Sequence, residues 1–505
     1  MFLSRYNLKH INSAIAIPDE SIFALPEKVV QFGTGVLLRG LPDYFIDKAN
    51  KKGIFNGRVV IVKSTSKGDS SSFEKQDGLY TVCVRGVNDG IKQEEDIINA
   101  SISRVLSAAD DWEKILETAA DPNIQVIISN TTEVGIQLVH DDIKKHPPDS
   151  FPGKLLAYLY HRFQAFQGSS NSGLIIIPTE LVTNNGKLLE SIVLELAHLN
   201  SLEESFIEWL ENSNRFCNSL VDRIVPGKPE RQVQNAITSN LGYNDDLLIM
   251  TETYKLWAIE GDNKIKEQLA FAQADDGLVI TSDIDLYREL KLRILNGSHT
   301  LSCGMAFLSG CITVKDAMDN HLMARYISEL IYDEIIPGIP YKIDNDVSSD
   351  FAKKVLDRFR NPYLKHNWIN ITVQYSSKLK LRCVPVLQEL FKNDLIFPKN
   401  IALGFAAYIL FMKSVRKNGN EYFGEANGEL YPIIDDQAQK LYNIWLNQPS
   451  IKNVVHEVLS DIDYWGCDLT SFTGFEKDVI NNVELLQKEG AVNVLKYSSS
   501  KTHQL

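Results

Sequence analysis

The sequence is poor in cysteine, in long apolar runs and in clustered positive charge, and each shortage excludes something. Six cysteines stand in 505 residues (Cys83, Cys217, Cys303, Cys311, Cys383 and Cys467), with no C-x-x-C pair, so no disulfide framework is expected and a reducing compartment fits. The longest apolar run, IALGFAAYILF at 401–411, is too short to cross a bilayer, and the opening MFLSRYNLKHINSAIAIPDE has no apolar core of signal-peptide length. A cytoplasmic location with no membrane partner is expected. Lysine and arginine are scattered and the formal charge is -13, which argues against nucleic acid or an anionic membrane surface as the main partner and leaves a small molecule.

What is present is a globular composition, 44% hydrophobic and 23% charged, in a chain too long for one core. Short β-type runs at 28–32, 58–62, 124–129 and 173–178 alternate with amphipathic segments such as 110–121 and 153–166. That alternation predicts a parallel sheet covered by helices. Beyond about residue 285 the β runs nearly vanish and the text reads helical, so an α/β half over 1–285 and an α half over 286–505 are expected, with 496–505 as a frayed tail.

The first β run leads into Gly33-Thr34-Gly35 and then an apolar segment, the strand, glycine turn and helix start that a dinucleotide pyrophosphate needs. The third glycine of that fingerprint is missing: Leu38 stands there, Gly40 comes two residues late and Pro42 interrupts the presumed helix. A tight turn without a ligand is the alternative. The second β run ends in Lys63, Ser64, Thr65 and Lys67 with no acidic residue, which leaves NAD and NADP undecided.

The stretch Lys291-Leu-Arg-Ile-Leu-Asn296-Gly-Ser-His299 carries the chemistry. On an α-helix Asn296 lies about 140° and His299 about 80° from Lys291, so all three share one side. A lysine in a dry cleft can pass a proton to or from a hydroxyl, the asparagine amide can donate to a growing oxyanion, and the imidazole can orient a hydroxyl, with no metal needed. The alternative is an amphipathic helix with a solvated lysine, a turn asparagine and a satisfied histidine.

With K-x-x-x-x-N-x-x-H matched by Lys291, Asn296 and His299, and with QFGTGVLLRG (31–40), QDGLYTVCVRG (76–86), SNTTEVG (129–135), FCNSLVDRIVPG (216–227) and RFRNPYLKH (358–366), the chain resembles the mannitol dehydrogenase family of polyol-specific long-chain dehydrogenases. The likeness is greatest to its tagaturonate-reducing branch. It implies an α/β fold: an N-terminal Rossmann-type NAD-binding domain (1–285) and a mainly α-helical C-terminal catalytic domain (286–505). It further implies reversible NAD-dependent reduction of D-tagaturonate to D-altronate with Lys291 as proton-transfer residue, and a monomer or small homo-oligomer. A fructuronate- or mannitol-type activity, or an inert nucleotide-binding sensor, are the rivals.

By the same resemblance Gly33, Gly35, Arg39, Asn130, Thr131 and Glu133 would hold the cofactor, and Asp222 would approach the substrate. The family's second oxyanion asparagine, in a D-N-L motif, is replaced here by Thr179-Glu180-Leu181, so Asn296 acts alone or is joined by Asn184 or Asn185. A uronate also has a carboxylate, for which Arg358 and the run Lys378, Lys380, Arg382 are candidates. In KLKLR the basic groups share one side of a strand but spread around a helix, and a solvated basic face is the alternative.

Overall fold

The computed structural model describes residues 1–11, 14–64, 70–131 and 135–500, the side chains of 498–500 excepted. Its contacts divide the chain into two units: Met1–Gly86 with Lys92–Ile284, and Val87–Ile91 with Asp285–Leu505. The short segment Val87–Ile91, the tip of a β-hairpin, groups with the second unit, a discontinuity that linear reading did not anticipate. Among the described residues no helix is long and apolar enough to cross a membrane.

The first unit is built on six strands: β1 Glu27–Phe32, β2 Arg58–Lys63, β3 Ile102–Ser107, β4 Val126–Ser129, β5 Ile175–Pro178 and β6 Arg215–Phe216. The four central strands, β1, β2, β4 and β5, are Val- and Ile-rich and mostly buried, as strands covered on both faces must be. Alternate residues confirm it: Val30, Phe32, Val60, Val62, Ile127 and Ile176 enter one apolar cluster, while Val29, Val59, Ile61, Val126, Ile128, Ile175 and Ile177 enter the other. All neighbours pair in parallel, in the order β3-β2-β1-β4-β5-β6. This is the doubly wound dinucleotide-binding order, and it reverses between β1 and β4.

Pro42 interrupts the helix as expected, and does so by starting a second one. The chain turns at Leu41 between helices Val36–Gly40 and Pro42–Lys51, with the proline in the first turn, where its missing N–H costs nothing.

The second unit is mainly helical, and the apolar run noted above forms the buried helix Lys399–Phe411. Its start is capped from another element: the buried Glu334 carboxylate accepts from the backbone N–H of Asn400 at 2.7 Å and of Ile401 at 2.8 Å. Glu334→Ala should cost about 2–3 kcal/mol by orphaning two buried donors, whereas Glu334→Gln keeps an acceptor and costs less. Burial also pushes the Glu334 carboxyl from 4.5 up to about 7. A raised folded value stabilises at low pH and is lost as pH rises through it, so Glu334→Gln should gain on the wild type between pH 4.5 and above pH 7. Urea denaturation at both ends checks this; a constant gap would refute it.

The second unit also holds a three-stranded antiparallel sheet, Arg416–Asn418, Glu421–Ala426 and Glu429–Ile433, which the helical reading of this half missed.

Candidate active site

In the first unit the strand order reverses where β1 and β4 end, and the backbone there is tightly fixed. The Gly33 N–H donates to Val62 O at 3.0 Å and the Asn130 N–H to Phe32 O at 3.2 Å. Gly33 has φ +130, and a Cβ there would meet Leu38 Cδ1 at 2.9 Å and Asn130 O at 3.0 Å, so this turn requires glycine. At Gly35 a Cβ would meet nothing within 4 Å, which leaves the backbone at this helix start facing open space, as a pyrophosphate needs. Gly40 takes the packing role of the missing third glycine: a Cβ there would meet Val225 at 2.9 Å. The crevice therefore fits a dinucleotide.

Other expected residues are committed elsewhere. Arg39 is buried, donates to Leu247 O at 2.5 Å and lies over the Tyr80 and Phe73 rings, so it anchors the core rather than facing a cofactor. Asn130 donates to Thr179 O and Oγ1 at 3.1 and 2.9 Å, and Thr131 donates through N and Oγ1 to Glu180 at 2.8 and 3.1 Å. These bonds brace the end of β4 against that of β5, and burial raises the Glu180 carboxyl. Asn185 is no second oxyanion donor: its amide donates to Pro178 O, Glu180 O and Ser219 O. Asn184 is exposed in a left-handed conformation. Asp222 is buried at the end of strand Ser219–Asp222 in the first unit. Glu133, Thr65 and Lys67 lie outside the described residues.

In the second unit, Lys291 and Asn296 do not sit on an α-helix. Leu290–Gly297 is wound as a π-helix, followed without a break by the α-helix Ser298–Leu308 that carries His299. With i→i+5 bonding, residues five apart come nearly one above the other, so Lys291 and Asn296 are closer in azimuth than α-winding at about 100° per residue would make them. Hydroxyls brace the wide turn: Ser298 donates to Ile294 O at 2.5 Å and Thr300 to Asn296 O at 2.7 Å. Lys291 and Asn296 are half-buried.

His299 is buried, stacked on Phe359 at 4.1 Å and edge-on to His366 and Trp368 at 5.3 and 5.9 Å. Among the described residues its Nε2 and the Trp368 Nε1 are buried without a hydrogen-bond partner. Burial, then His366, Arg358, Arg382 and Lys378, hold the imidazole well below its ordinary value, so it is neutral. A lowered folded value means stability present above pH 6.5 and lost as pH falls below it. His299→Phe, which keeps the stacking, should remove up to about 1.4 kcal/mol per pH unit of that acid slope. Denaturant titrations from neutral to mildly acid pH test this; an unchanged slope would refute it.

The run KLKLR lies on helix Tyr375–Arg382, which spreads its cations. Lys378 and Arg382, one turn apart, act on His299; Lys380 goes the other way, over the Tyr464 ring at 5.3 Å, so it leaves the cluster expected for a carboxylate. Arg358 is buried beside both histidines. Sequence reading passed over Arg293, which is buried, pairs with Glu289 at 2.8 Å and donates to Leu381 O and Arg382 O at 2.6 and 3.0 Å. Its i,i+4 spacing from Glu289 was the available signal. Among the described residues no group of three or more His, Cys, Asp or Glu is placed to hold a metal ion.

Residues 27–273 match the mannitol dehydrogenase Rossmann domain and 283–487 the mannitol dehydrogenase C-terminal domain. The altronate oxidoreductase of Bacillus subtilis (strain 168) is 41% identical over 448 residues, 88% of this chain and 89% of that protein. That of Halalkalibacterium halodurans is 35% identical over 475 residues, 92% of each. Among solved structures, Pseudomonas fluorescens mannitol 2-dehydrogenase, in a ternary complex with NAD and D-mannitol, shares the fold with a TM-score of 0.68 at 21% identity, covering 99% of this chain and 100% of that one. A substrate-free D-sorbitol dehydrogenase does so with 0.78 at 18%, covering 97% and 99%. The chain belongs to the mannitol dehydrogenase family and is an oxidoreductase acting on CH–OH groups.

Proposed function

We propose that the protein reversibly reduces D-tagaturonate to D-altronate with NADH, using Lys291, Asn296 and His299 of its second unit. The observation that carries this reading is the π-wound segment, which brings a half-buried lysine and a half-buried asparagine toward one side, one turn before a neutral, buried histidine. The relatives named altronate oxidoreductase supply the substrate, and the turn at Gly33 and Gly35 supplies the cofactor's pyrophosphate site.

A nicotinamide dinucleotide bound there supplies the hydride in reduction and accepts it in oxidation. As the carbonyl carbon is reduced its oxygen gains negative charge; the Asn296 amide donates to that oxygen, and the Lys291 ammonium gives it a proton. In the oxidative direction the Lys291 amine takes the hydroxyl proton. His299, uncharged, offers Nε2 to a neighbouring hydroxyl of the sugar chain. Arg358 and Lys378 supply positive charge for the carboxylate, and the chemistry needs no metal.

The test is NADH oxidation by the purified full-length protein with D-tagaturonate, D-fructuronate and D-fructose, repeated with NADPH. Turnover fastest with D-tagaturonate and NADH is expected. Preference for D-fructuronate or a neutral ketose would overturn the substrate, and preference for NADPH the cofactor.

A further inference from the structure

Two half-buried cations in the second unit have no acidic partner within ion-pair distance among the described residues. Among the described residues, the Lys378 ammonium donates to Ile371 O at 2.9 Å, and the Arg382 guanidinium makes one hydrogen bond, to Thr300 Oγ1 at 3.1 Å. Neither forms an ion pair with a carboxylate among these residues. Partly desolvated positive charge left uncompensated is costly, and an arginine fork suits an anionic group such as a carboxylate, which a uronate carries and a neutral sugar lacks. Beside them lie two buried orphans, His299 Nε2 and the Trp368 indole N–H, and buried polar atoms without partners call for a ligand.

Arg382 is also fixed to the segment proposed for catalysis at both its ends. Its backbone carbonyl accepts from Arg293 of the π segment at 3.0 Å. Its guanidinium donates to the Thr300 hydroxyl, which donates in turn to the carbonyl of Asn296 at 2.7 Å. One hydroxyl thus links the cation to the peptide of the residue that would bind the oxyanion.

We propose that Arg382 is the specificity-determining residue of this enzyme: with Lys378 it receives the substrate's carboxylate, and through Thr300 it sets the position of Asn296. This rests on the uronate reading above, and it names the group that separates uronates from neutral polyols. Arg382 acts by contact with the substrate; Thr300 is a positioning residue.

The experiment compares kcat and KM for D-tagaturonate and for D-tagatose, the same ketose with a hydroxymethyl in place of the carboxylate. Arg382→Gln should lose about 10- to 100-fold more kcat/KM on the uronate than on the neutral ketose, mostly through KM. Thr300→Val should lower kcat on both substrates with KM held, and Thr300→Ser should restore it. NADH binding, followed by fluorescence, separates these effects from misfolding. Equal losses on both substrates in Arg382→Gln would make the residue structural and overturn the inference while leaving tagaturonate reduction intact. If the wild type prefers D-fructuronate, the substrate reading falls alone, and the same comparison against D-fructose decides the role of Arg382. If it accepts no uronate, both fall.

Discussion

Replacing Lys291 by alanine is expected to lower kcat for D-tagaturonate reduction by about 10²–10⁴-fold while NADH affinity changes by less than about threefold. On the mechanism proposed, the size follows from removing the proton donor from a transition state in which the carbonyl oxygen becomes an alkoxide, with no other ammonium on the π segment to replace it. The selectivity follows from location: Lys291 belongs to the second unit, and the glycine turn fitted to the dinucleotide to the first. Lys291→Arg should rescue little, because a guanidinium does not release its proton near neutral pH and is too broad for a point donor. The outcome that would sink the assignment is a Lys291→Ala enzyme within tenfold of wild type, measured by single-turnover NADH oxidation so that product release cannot mask the chemical step.

The first unit was legible because its central strands β1, β2, β4 and β5 are Val and Ile runs, as a sheet covered on both faces requires, and because Gly33 sits where the first run ends. Arg39, grouped with the cofactor residues by resemblance alone, is instead turned inward to Leu247, which nothing in the local sequence shows. Glu180 misled in the opposite sense: read as the loss of an asparagine, it proves to be the acceptor that holds Thr131 and Ser129.

The second unit was less legible. Nothing in LKLRILNG distinguishes π from α winding, since both use the same helix formers; what accompanies the wide turn is a tertiary bond from Arg293 to Arg382 O and local bonds from the Ser298 and Thr300 hydroxyls to carbonyls four residues back. In KLKLR, alternation alone could not choose between strand and helix, and the choice decides whether Lys380 joins the cluster or leaves it. The small sheet did leave a signal: Asn418-Gly419 and Asn427-Gly428 are hairpin dipeptides, and Asn427 and Gly428 have φ of 54 and 80, as such a turn requires.

Asn296→Ala should lower kcat by about 10²–10³-fold, the usual loss when a preorganised donor to a developing oxyanion is removed. This variant is the cleaner of the two, because the Asn296 carboxamide makes no hydrogen bond among the described residues; the one side chain that bonds to the residue, Thr300, does so at its backbone carbonyl. Truncation therefore orphans nothing, and stability should change by less than about 1 kcal/mol. Asn296→Asp, of the same shape, should be at least as damaging, since it sets a negative charge against the forming alkoxide instead of an N–H. The second donor that the family's D-N-L motif would supply has no replacement in Asn185, whose amide is committed to three carbonyls, and on the mechanism proposed this leaves the load on Asn296. If Asn296→Ala retained more than a tenth of wild-type kcat with unchanged melting temperature, the oxyanion would have to be bound by another group, and the π-wound turn would serve to place Lys291 alone.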